Sequence, residues 1–208
     1  MKKIIATGLY TLAFCSSGYS NSTMIDGKDF GPLALLVGSW ESTDTGGVDL
    51  APSQAKEGVA PGQPAVSPFY EKFTFEVAAD ATNASKQHLV ALYYKQEVFR
   101  KSDNTKFHDQ RGYFIYDKER ETVYNSFCIP RATCVTAEGK AGLNMTLKSS
   151  DKGIAESNFM NKNAKTNSFV MNIKIEKNKL SYTQTTDLAI YGKSFSHTDG
   201  GNLVKVGS

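Results

Sequence analysis

The chain is poor in the residues that most enzymes rely on. Of 208 residues, three are cysteine, three are histidine and one is tryptophan. The cysteines at 15, 128 and 134 match no zinc spacing. His88, His108 and His197 stand apart, with no Gly-x-Ser-x-Gly elbow and no His-Glu-x-x-His helix. No glycine-rich phosphate loop lies between a strand and a helix. Hydrolase, zinc-protease, kinase and dinucleotide chemistry therefore find no support. Charge of one sign is lacking too. The 24 basic residues against 21 acidic ones leave no clustered excess for nucleic acid. Past the N-terminus no apolar run approaches the roughly 18 residues of a spanning helix.

The N-terminus is apolar. Lys2 and Lys3 precede a stretch from Ile4 to Cys15, and small residues follow it. This pattern reads as a secretory signal over residues 1–20, cleaved after Ser20. Two other readings compete: a lipoprotein cysteine at Cys15, against which bulky Phe14 counts, and a cytosolic start at Met24. Export predicts a periplasmic or secreted domain spanning residues 21–208. In that compartment Cys128 and Cys134 have the chance to pair. On one continuous strand their spacing is roughly 20 Å, out of reach, unless Pro130 bends the chain.

What is abundant is alternation. Asp29 to Val37 reads as one or two helical turns with Pro32 near the start, and Gly38-Ser39-Trp40 opens a strand. Residues 44–68, with prolines at 52, 61, 64 and 68, read as a long loop over a barrel mouth or a plain insertion. In PFYEKFTFEVA, Phe69, Phe73, Phe75 and Val77 share one face. Further strands follow at 87–100, 106–117, 121–128, 133–139, 142–150, 167–177, 180–192 and 195–206, with residues 151–166 as a polar connection. The sequence thus predicts an all-β fold: an up-and-down antiparallel barrel of about ten strands with a short N-terminal helix. A barrel of that size encloses more space than side chains fill, which predicts a small ligand inside.

One histidine suffices to hold haem b while leaving the other axial position open. His197, on the last strand, is the candidate. It shares a strand face with Phe195, which favours an inward side chain. The plainer alternative is a strand-end residue bonded near Gly200-Gly201. His108 reads as a loop-fixing residue and His88 as exposed. Trp40 suits a barrel-floor plug, with a cofactor contact as the alternative.

Four segments in order resemble the nitrobindin family of haem-binding β-barrels, also described as fatty-acid-binding-protein-like. They are Leu36–Glu41, Phe107–Tyr113, Ile129-Pro130-Arg131 and Phe195–Lys205. The resemblance implies a ten-stranded barrel, ferric haem b on a histidine at the position of His197, and nitric oxide or peroxynitrite as clients. It also implies peroxynitrite isomerisation as the activity, if the chain is an enzyme. Two departures stand out. The glycines after Trp40 come late, at Gly46 and Gly47, and His197 is followed by a longer run, Thr-Asp-Gly-Gly, before Leu203. They leave open a second function, a metal-free exported carrier of a fatty acid or other apolar molecule.

Overall fold

A computed structural model describes residues 22–54 and 60–207. The segment read as a signal, with Cys15, lies outside the described residues. A small hairpin of β1 (Met24–Ile25) and β2 (Lys28–Asp29) leads into a 3-10 helix, Gly31–Leu36. The strands β3 (Gly38–Pro52), β4 (Pro64–Val77), β5 (Ala81–Asn83), β6 (Gln87–Arg100), β7 (Lys106–Asp117), β8 (Thr122–Ile129) and β9 (Thr133–Lys140) follow. After them come β10 (Asn144–Glu156), helix α1 (Asn158–Asn163), β11 (Ala164–Ile175), β12 (Lys179–Ile190) and β13 (Lys193–Val206).

Consecutive strands pair antiparallel from β6 to β13, β13 pairs with β3, and β3 with β4. The β4–β6 pairing closes the circle, from Phe69 opposite Arg100 to Val77 opposite Leu92. The three-residue β5 only flanks β6, so ten strands surround the barrel. Closure leaves no long unpaired edge for another chain to add to.

The helix plugs one end. Pro32 sits in its first turn, where a missing N–H is harmless. Leu33 and Leu36 are fully buried in the same cluster as Trp40, Phe73, Phe75 and Phe114. Trp40 donates its indole N–H to the Leu36 carbonyl at 2.7 Å. It is the floor plug that its size and single donor suit.

Two expectations are corrected, and the open question of the cysteines is answered. Residues 44–68 are not one long loop: β3 runs to Pro52 and β4 starts at Pro64. Composition misleads because β3 carries a large bulge. Glu41 opposes Lys72 and Gly47 opposes Phe69, so six steps on β3 face three on β4. Lys101 caps the bulge by donating to the carbonyls of Asp44 and Thr45, both at 3.0 Å. Residues 151–166 are not a plain connection either. Strand β10 resumes after a bulge between Ser149 and Ile154 and runs to Glu156. The Ser157 hydroxyl then caps α1 by accepting from the Met160 N–H at 3.2 Å. Finally, Cys128 and Cys134 lie on facing strands of the β8–β9 hairpin and form a disulfide. The chain turns back at residues 130–132, with Ala132 left-handed, so the bend at Pro130 that the sequence left open is the one that occurs.

Gly112, in the Phe-His-Asp-Gln-Arg-Gly run, lets β7 and β8 meet. A Cβ there would overlap the Ser126 carbonyl and the Phe127 backbone.

Candidate functional site

The bulge in β3 sets the site. Its extra residues are odd in number, so strand parity flips across it. Trp40 faces the interior before the bulge; Gly47 and Asp49 face it afterwards, while Val48 and Leu50 are exposed. On β13 the inward residues are odd-numbered, among them His197, Asp199 and Leu203. Asp49 and Asp199 are register partners across the two strands. Three ionisable side chains from two adjacent strands therefore converge inside the barrel.

His197 is half-buried and its Nε2 lies 2.5 Å from Asp49 Oδ1. Asp199 Oδ2 is 3.8 Å from the same nitrogen. Burial alone would lower the imidazole's pKa; the Asp49 hydrogen bond and the charges of Asp49 and Asp199 outweigh it and raise the value. Burial and the neighbouring Asp49 push the Asp199 carboxyl up to about 7, against the opposing pull of His197 and a Gln184 hydrogen bond. Gln184 sits opposite Asp199 on β12, buried, and its Oε1 has no partner.

The sequence-derived candidates do not all meet. Trp40 opposes Lys205, eight residues along β13 from His197, or roughly 26 Å at the usual rise. Trp40 is therefore at the plugged end, away from His197. His88 is exposed and pairs with Thr82 outside the barrel at 3.0 Å. His108 departs from its expected loop-fixing role. It lies within β7 on the inward face, opposite Val98, and its Nε2 is 3.4 Å from Gln110 Oε1. Burial lowers its pKa, so it stays neutral at pH 7, and it feels the charges of Asp49 and His197.

A polar layer between the plug and this cluster was missed by sequence reasoning. Glu71 accepts from Gln96 Nε2 at 2.7 Å and from the Tyr182 hydroxyl at 2.8 Å, both at Oε2. Its Oε1 is buried without a partner. Burial raises Glu71 to about 8, so it is a neutral acid at pH 7. Beside it, Gln110 donates to the Tyr94 hydroxyl at 2.6 Å, which donates to Asn125 at 3.0 Å. Glu71 lies between Phe69 and Phe73 on the inward face, so strand parity was the signal that pointed to it. Gly201 makes room for it: a Cβ there would overlap Glu71 Oε1. A groove over Val48, Leu50, Asn172 and Thr198 runs along the outer face of the sheet, and Tyr182, Asp199 and Gly201 also contribute to its wall.

The family described as THAP4-like, heme-binding beta-barrel domain matches residues 29–205. The chain belongs to this family. The match spans nearly all of the described barrel and is the family to which the four sequence segments pointed. No curated protein sequence matches. Among solved structures, the chain is similar to the crystal structure of Rv2717c from M. tuberculosis, at 17% identity and a TM-score of 0.58. The likeness covers 83% of this chain and 94% of that one. At that identity it speaks for the fold. The fold rests on both findings; the family and the haem-binding character of its domain rest on the family match.

Proposed function

We propose that the barrel binds haem b at the end that carries His197, with His197 as the iron ligand. The observation that carries this reading is an inward imidazole on the closing strand of a haem-family barrel. The residues fit in kind. The imidazole is half-buried beside carboxylates, and nearby Phe69 and Phe107 meet edge to face at 6.5 Å. The nitrogen that iron would take is also the one held by Asp49, so Asp49 competes with iron for it. Bound through a single protein nitrogen, haem would supply a coordination position for a small gas or oxidant such as nitric oxide or peroxynitrite. This chain's own residues hold the imidazole in place and keep a proton available on neutral Glu71 below it.

Nothing specific favours the metal-free carrier. A fatty acid wants an apolar lining, and the mid-barrel presents Glu71, Gln96, Gln110, Asn125 and Gln184.

Haemin titration followed by absorbance tests the reading. The expected result is a Soret shift saturating at one haem per chain. His197→Ala should weaken binding at least tenfold. Equal spectra from wild type and variant would exclude His197 as the ligand.

The domain is also read as exported. The basic-then-apolar N-terminus and the disulfide both suit an oxidising compartment. N-terminal sequencing of protein from its native cells should begin at Asn21; a start at Met24 would point to the cytosol.

A further inference from the structure

We propose that Asp49, His197 and Asp199 form a site for one free divalent transition-metal ion, zinc-like in its ligand preference. The inference rests on the cross-strand carboxylate pair, not on the haem reading. The Asp49–His197 contact at 2.5 Å and the Asp199–His197 contact at 3.8 Å bring the three donor atoms within 4.8 Å of one another. Ligands roughly 2.0–2.2 Å from a zinc ion stand about 3–3.5 Å from each other, inside the spread seen here.

Three features favour an ion over a bare ion pair. First, Asp49 and Asp199 are directly opposite in the ladder, an arrangement that is unfavourable for like charges. Second, the other charged or titratable groups facing the cluster do little to help. From β7 comes His108, kept neutral by burial; from β4 comes Glu71, an acid; Arg131, on the exposed turn after β8, is a cation whose charge reaches His197 but which holds no hydrogen bond or ion pair to either Asp49 or Asp199 among the described residues. Third, Gln184, nine-tenths buried and opposite Asp199, has an unpartnered Oε1. Its side chain already hydrogen-bonds Asp199, so that oxygen is a spare neutral acceptor beside the cluster.

The donor set selects the metal class. One imidazole nitrogen with two carboxylates suits zinc, cobalt, manganese or ferrous iron; calcium and magnesium prefer oxygen alone. Haem would draw on the imidazole alone among the three donors. A free ion draws on all three. Both occupants need the same imidazole, so each excludes the other.

The test uses the full chain freed of metal by a chelator. Cobalt is titrated by visible absorbance and zinc by calorimetry. The expected result is one ion per chain, with zinc raising the melting temperature. Asp199→Asn and His197→Ala should each weaken zinc at least tenfold, while His88→Ala should leave it unchanged. If Asp199→Asn does not fold, Asp49→Asn carries the same comparison. No saturable binding of either metal to wild type would overturn the proposal. So would zinc binding by Asp199→Asn as tight as wild type. The haem reading fails separately: wild type without a Soret shift leaves the cobalt titration standing, and the reverse holds.

Discussion

Replacing Glu71 with glutamine makes the barrel more stable than wild type at pH 8 and nearly equal to it at pH 5. Glu71 is buried, and burial lifts its carboxyl to about 8 against an ordinary 4.5. The folded chain therefore keeps a proton that the unfolded chain releases. Where the native state binds more protons, stability falls as pH rises. The loss begins above the unfolded value near 4.5 and is complete once pH passes the folded value near 8. Its full size is on the order of 4 kcal/mol. Glutamine keeps an oxygen to accept from Gln96 and Tyr182, the two donors that Glu71 Oε2 now serves. It carries no titrating group, so the wild-type-minus-variant difference isolates Glu71 from Asp199, which also titrates late. Melting curves at half-unit steps from pH 5 to 8.5 measure it. Parallel pH profiles for the two proteins would show that Glu71 is not a buried neutral acid.

Trp40→Ala should lower stability by about 3–5 kcal/mol, as large-to-small changes of buried aromatics do. Its side chain projects from the first barrel strand and is fully buried in one cluster with the plug residues Leu33 and Leu36. The substitution also removes the donor to the Leu36 carbonyl, adding about 1 kcal/mol. The ammonium of Lys205, 5.3 Å from the ring centre, loses its aromatic partner. Trp40→Phe retains most of the apolar volume and should lose less than half as much. Urea unfolding followed by circular dichroism reads both, since neither variant keeps a tryptophan. A change below about 1 kcal/mol for Trp40→Ala would mean the helix does not seal that end.

Most of the barrel was legible because its strands carry their own period. Phe69, Phe73 and Phe75 are inward as alternation required, and Pro32 marks the first turn of the short helix. Val77, assigned to the same face, is exposed at the strand's end. Where legibility failed, the cause was local geometry that composition does not encode. The β3 bulge places polar, glycine-rich residues inside a strand, so a loop was expected. The same bulge turns Asp49 inward, and no window centred on His197 includes a residue 148 positions earlier in the chain. The inward placement of His197 was legible from its strand and its parity with Phe195. Asp199 was visible two residues on, but its partner across the ladder was not. Glu71 was passed over because a lone acid in an aromatic strand looks like a surface residue. Only the closed barrel shows Gln96 and Tyr182 waiting for it.

The central claim is that His197 is the residue through which this barrel holds its metal-centred ligand. The most direct measurement is chemical rescue: His197→Gly titrated with haemin, with and without imidazole in solution. The glycine variant should lack the wild-type Soret band, and added imidazole should restore it by occupying the vacated position. A glycine variant that binds haem with the wild-type spectrum in the absence of imidazole would contradict the claim.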